Sequence, residues 1–204
     1  MIKFFLTLYA GLEHAFEADH LVAVNTLVTE RNNLKQSLKD GIFWGIGHTS
    51  TLFFVGIVMI VFKVNIGENV FRNFEAGVGL MLIILGIWRL LKLYRPRLHD
   101  TPAHTHHAHR AAFGVGFIHG LAGSGALVVM VIARMKTPLE GLLYILIFGV
   151  GSVLGMFLAA WLFSLPYTKV FLKSKKFQAI LVVISSLLCI GYGAKVVAEN
   201  MGWI

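Results

Sequence analysis

Five ionisable side chains fall within eight residues, Glu13, His14, Glu17, Asp19 and His20, inside a run that otherwise reads as an apolar helix. Imidazole and carboxylate are the donors that first-row divalent transition metals take, and their opposite charges offset the cost of burying either alone. At membrane depth that cost is roughly 2.5 to 3.5 kcal/mol for an Asp, so a cluster of this kind is by default a functional site. At about 100° per residue on a regular helix, Glu13, Glu17 and His20 share a stripe, His14 lies within about 60° of Glu17, and Asp19 points away. His14 and His20 would also stand about 9 Å apart along the axis. A regular helix therefore cannot close all five around one ion. Either it is locally unwound, or some of the five are ligands while others orient them or form a neighbouring stop on an ion path.

A metal cluster on one helix needs donors from another, and His48, followed by Thr49, is the next ionisable group inside an apolar run. We expect His14, His20 and His48 as imidazole ligands and Asp19 as a carboxylate ligand or as the partner that orients one. Glu13, Glu17, Asn25 and Thr49 could orient those ligands or strip the ion's waters stepwise. His119, with Ser124 as its polar neighbour, is a further candidate on the path.

The elements that must position these residues are membrane helices. Of 204 residues, 57% are hydrophobic and 14% charged, with a mean hydropathy of +0.76, whereas a soluble domain carries nearer 25% charged. Six apolar runs, about 4–28, 38–62, 71–93, 112–135, 139–163 and 177–197, predict an all-α membrane protein of six transmembrane helices in a lipid bilayer. Thr137-Pro138-Leu139-Glu140 marks the start of the fifth, with Thr as cap, Pro at the first position and Glu closing the capping box. No cleavage site follows the first run, so the first helix is expected to stay in the mature protein. The single cysteine, Cys189, lies in an apolar run and excludes an internal disulfide.

The net charge of +8 does not point to nucleic acid, because the basic residues sit in the short links between runs, where they act as topology signals. Twelve of the 18 Lys and Arg fall in or beside the links after runs one, three and five, and six on the other side. That asymmetry puts the odd links in the cytoplasm and both termini outside. The link at about 94–111 carries His99, His104, His106, His107 and His109, compositionally metal-binding but too irregular for a defined site. It reads as a cytoplasmic loop dispensable for the transport step.

The halves repeat. Gly11-Leu12-Glu13-His14 overlays Gly116-Phe117-Ile118-His119 at an offset of 105, and Gly45-Ile46-Gly47-His48 overlays Gly149-Val150-Gly151-Ser152 at 104. A single transmembrane domain of two inverted three-helix repeats, about 1–93 and 112–204, follows, with the substrate site between them. Gly120-Leu121-Ala122-Gly123-Ser124-Gly125 could break the fourth helix.

His14-Ala15-Phe16-Glu17-Ala18-Asp19-His20 fits the His-x4-Asp-His signature of the nickel/cobalt transporter family, and Gly47-His48-Thr49 is similar to that family's second motif in the next helix. The stretch from Phe117 to Leu127 resembles the family's shorter, urease-associated, UreH-like branch. The resemblance implies transport of Ni(II) or Co(II) across the cytoplasmic membrane, with His14, Asp19 and His20 required and the Gly-His-Thr helix nearby. Longer relatives have eight spans, of which this chain is expected to lack the first, and acidic residues in their third motif where this chain has Gly and Ser. Some relatives export metal. Import is the expected direction here, since the resemblance leans to the urease-associated branch and the ion is a scarce cofactor. Downstream nickel-enzyme maturation proteins would be partners.

No prosthetic group is expected. The alternatives to an importer are a metal exporter of the same family and a haem-binding membrane electron carrier with axial histidines from different spans. A zinc hydrolase is disfavoured, because Glu13 precedes His14 and the His-Glu-x-x-His order is absent. An anion exporter of similar plan would not need the acidic cluster. No Gly-x4-Gly-Lys-Ser/Thr loop occurs to couple ATP, so the protein should be a non-enzymatic secondary transporter.

Overall fold

The computed structural model describes residues 2–28, 34–94, 105–165 and 175–203. The described residues are all-α: α1 (Ile2–His14), α2 (Ala18–Val28), α3 (Leu34–Gly56) running into a π-helical turn (Ile57–Val61), α4 (Glu68–Tyr94), α5 (Thr105–Arg134), α6 (Pro138–Ser164) and α7 (Lys175–Met201). The start of α6 follows its sequence signal, with the Glu140 amide donating to Thr137 Oγ1 at 3.2 Å and the Lys136 amide to Glu140 Oε2 at 2.8 Å. The π turn ends at Lys63, which takes φ 55°, the left-handed region.

Four described helices are long and apolar enough to cross a bilayer: Leu34–Val61, Glu68–Leu93, Pro138–Ser164 and Lys176–Met201. A fifth candidate is α5, whose segments His109–Gly123 and Gly125–Arg134 meet at 56°. The bend falls in the glycine-rich stretch where the sequence allows a broken helix. Large side chains such as Phe5, Phe54, Ile84 and Leu187 face outward, which a protein surrounded by acyl chains can do at no cost.

Two clusters form the interior. One joins Val24, Val28, Trp44, Leu82 and Met156; the other joins Leu52, Met59, Phe71, Val128, Ile145 and Phe148. Helices come close where glycine leaves room. α3 lies along α5, and a Cβ on Gly116 would overlap the Trp44 carbonyl. Gly116→Val should therefore push α3 and α5 apart and cost at least about 1–3 kcal/mol, read as a lower melting temperature in detergent, while Gly114→Ala, with open space around it, should leave the melt unchanged.

The fourth run starts earlier than its apolar pattern implies. α5 begins at Thr105, so 105–111 are helical instead of belonging to the histidine-rich link, and residues 95–104, with His99 and His104, lie outside the described residues. The reason lies on α3. Asp40, 3% exposed, takes His109 Nδ1 at 2.7 Å, and Phe43 stacks on the His109 ring at 5.3 Å. A partner for a buried carboxylate holds these turns in register. Removing residues 101–104 should leave the melt intact, whereas His109→Ala should lower stability by about 1–3 kcal/mol, measured by thermal unfolding.

Candidate metal centre

The first helix is broken in the middle of its ionisable cluster. α1 stops at His14, the Phe16 amide donates to Glu13 O at 2.9 Å and the Glu17 amide to His14 O at 3.1 Å, and α2 restarts at Ala18. Instead of standing about 9 Å further along a straight axis, His20 folds back until its ring centroid is 4.5 Å from that of His14. α3 supplies His48, 5.4 Å from His14 and 5.0 Å from His20. One donor atom from each of the three lies within 4.8 Å of the others.

Hydrogen bonds decide which ring nitrogens face the cluster. His14 Nδ1 lies 3.0 Å from Glu17 Oε1, which leaves Nε2 for the interior. Asp19, in the first turn of α2 where the helix dipole favours an anion, accepts from His20 Nδ1 at 3.0 Å and from His119 Nε2 at 2.9 Å. His20 Nε2 and both nitrogens of His48 are buried with no partner among the described residues, as is His119 Nδ1. His20, His48 and His119 are at most 1% exposed. A buried polar atom without a partner costs about 1–3 kcal/mol, so several converging within 5 Å is an arrangement that a cation relieves.

Chemically, three imidazoles can hold one divalent transition ion, and carboxylates behind two of them fix the ring tautomers and raise ligand basicity. A second group of donors within the same 4.8 Å limit, Asp19, His20 and His119, shares His20 with the first. His20 is thus common to both groups. Trp44, buried, walls the cluster, its ring 5.6 Å from His20 and 5.8 Å from His119.

The other sequence candidates fall at varying distance from this centre. Glu17 is tied to His14, whereas Glu13 is exposed and contributes its carbonyl to the turn. Thr49 turns away: its hydroxyl donates to Gly149 O at 3.2 Å, a bond between α3 and α6. Asn25 sits half-buried on α2, and Ser124 lies at the α5 bend, its side chain outside the described residues. Thr51, two residues on, bonds across helices to Phe117 O at 2.7 Å and so ties α3 to α5 beside His48.

Residues 26–194 match the family described as cytochrome c biogenesis protein transmembrane region. The chain is 40% identical over 169 residues to the urease accessory protein UreH of Bacillus sp. (strain TB-90), covering 78% of this chain and 74% of that relative. It is 28% identical over 156 residues to a protein of Methanocaldococcus jannaschii described as a nickel/cobalt efflux system, 72% of this chain and 68% of the relative. No solved structure matches it. With 40% identity to UreH over 78% of its length, a transmembrane-region family matched over most of the chain and multiple apolar helices, this multi-pass membrane protein belongs to the family of UreH.

Proposed function

We propose that the protein is a secondary permease that carries Ni(II), and also Co(II), inward across the cytoplasmic membrane. The observation that carries this reading is the convergence of His14, His20 and His48, with unpartnered buried nitrogens on the last two and carboxylates behind the first two. Nitrogen-rich sites of this kind suit nickel and cobalt better than the oxygen-preferring alkaline-earth ions. The names of both relatives, one a urease accessory protein and one a nickel/cobalt efflux system, point to the same ions. Delivered nickel would pass to maturation proteins of nickel enzymes.

In this reading α1 and α2 together form the first of six crossings, broken at the site as ion-binding helices of transporters often are. Packing supports an inverted repeat. A Cβ on Gly11 would strike Phe148 O, and one on Gly116 would strike Trp44 O; Gly151 meets Leu8 O as Gly47 meets Phe113 O; Gly155 meets Leu12 O as Gly120 meets His48 O and Thr51. The first two pairs are related by the sequence offsets of 104 and 105, and in the third Ala15, which also touches Gly155, stands where Gly120 does in the other half. Exchange of halves reproduces the same close contacts. The Lys and Arg asymmetry puts the termini outside and the link at about 94–111 in the cytoplasm.

The test is uptake. Protein purified without metal and reconstituted into metal-free liposomes should bind about one nickel per chain and accumulate nickel faster than empty liposomes. Calcium or magnesium in excess should not compete. Purified protein with a haem absorbance band and no nickel binding would replace this reading with the electron carrier.

A further inference from the structure

Beside the histidine cluster, a cavity of about 230 Å³ lies between α2, α4, α5 and α7, with His14 in its lining. Its lining brings together residues that sequence keeps far apart: Glu17 and Asp19 at the start of α2, Glu75 in the second turn of α4, and Glu199 with Asn200 at the end of α7. No Lys or Arg lines it. Two cations stand beside its wall: Arg72 donates to Asn200 O at 3.0 Å, and the exposed Lys195 pairs with one oxygen of Glu199 at 3.5 Å, leaving the other Glu199 oxygen for a ligand. Glu75 hydrogen-bonds the side chain of Asn200, which keeps its carboxylate at the wall. At about 30 Å³ per water, the cavity has room for on the order of seven waters, roughly one divalent ion with its hydration shell.

An acidic hollow alone would mean little. This one is lined by His14, whose donor atom lies within 4.8 Å of those of His20 and His48, buried rings with nitrogens that have no partner among the described residues. Four carboxylates in a concave, low-dielectric mouth focus the field on cations and raise their local concentration. Glu75 and Glu199 are separated by 124 residues, sit at helix ends that meet, and touch neither the histidines nor any residue of the first motif by hydrogen bond.

We propose that this cavity is a capture vestibule in which Glu17, Glu75 and Glu199 hold a hydrated divalent cation through its waters before His14 begins to replace them. The inference rests on the histidine cluster being the binding site, and it adds the route and the face. The vestibule opens where α4 begins and α7 ends, opposite the Asp40–His109 pair at the starts of α3 and α5. In the orientation given by the Lys and Arg count, that face is outside.

Stopped-flow mixing of aqueous nickel(II) with the purified full-length protein tests it, using quenching of tryptophan fluorescence, since Trp44 abuts His20. Glu75→Gln with Glu199→Gln should slow association about tenfold at low salt and little at high salt, with the dissociation rate unchanged, because charges at a rim act on encounter. Glu199→Asp should associate like the wild type. Wild-type association rates in the double variant, or a defect confined to dissociation, would overturn the vestibule. If the double variant loses helicity, wild-type association that is independent of ionic strength does the same. His20→Ala in parallel separates the two readings: unaltered quenching there sinks the histidine site, whereas its loss with normal kinetics in the Glu variants sinks the vestibule alone.

Discussion

His14→Ala, His20→Ala and His48→Ala should each abolish nickel transport and weaken nickel binding by at least tenfold, about 1.4 kcal/mol, while the helix content by circular dichroism stays that of the wild type. Each ring supplies one of only three facing imidazoles, and no other described His, Cys, Asp or Glu group completes that triad. Removing one leaves two imidazoles for an ion that the triad holds with three. The three variants differ in what they strand. His48 has no hydrogen bond to lose, so His48→Ala should cost little stability or even raise it by relieving two unpartnered nitrogens. His20→Ala strips Asp19 of one of its two imidazole partners and should destabilise the metal-free protein. Asp19→Asn leaves one accepting oxygen where His20 and His119 each use one, and binding should fall by 10- to 100-fold, as expected when a partner behind a ligand is lost. Isothermal titration with nickel in detergent measures all four. Wild-type affinity in every one would show that the ion binds elsewhere.

Protons should compete for the same nitrogens. An imidazole must be neutral to coordinate, and the unperturbed group titrates near about 6.5. Nickel affinity should therefore be flat above neutrality and decline once the medium is acid enough to protonate the rings. An affinity that rises on acidification would exclude imidazole ligands.

Much of this site was legible in the chain because its residues are out of place. His14, Asp19, His20 and His48 are polar groups in apolar runs, and a membrane interior makes such residues conspicuous. What brings them together was not. The break at residues 15–17 falls on Ala-Phe-Glu, without the Pro or Gly that punctuates a helix, and it follows from the ligands' own requirement to converge. His119 looked isolated along the sequence because its partner, Asp19, is 100 residues away. Glu75 and Glu199 carried no signal at all: carboxylates near helix ends are ordinary, and only the meeting of α4 with α7 makes them one wall. The same limit explains His109, read as loop because apolar periodicity fades before α5 starts, although a buried Asp40 waits for it on α3. Thr49 was the converse error of emphasis. A hydroxyl beside a ligand histidine suggests chemistry, but in a helix packed this closely it serves first as a bond between α3 and α6.

Direction gives the second large effect. Liposomes with an inside-negative potential and no pH difference should accumulate nickel through this protein. A doubly charged ion gains about 4.6 kcal/mol at 100 mV, since each charge is worth about 2.3, and that supports a gradient on the order of 10³-fold. No nucleotide-binding loop is present to supply energy in another form. Proton competition at the histidines works the other way. With acid outside, protons would displace the ion at the outer face and favour release there, which suits export, the activity named for the relative from Methanocaldococcus jannaschii. The two drives therefore predict opposite results in separate experiments. The acidic vestibule favours the first, because it opens toward the face that the Lys and Arg count puts outside and concentrates cations where the membrane potential can then draw them in. Potential alone should produce uptake that collapses on adding a potassium ionophore under balanced potassium. If such liposomes gather no nickel, while an acid-outside gradient empties preloaded vesicles, the protein is an exporter and the vestibule is its exit.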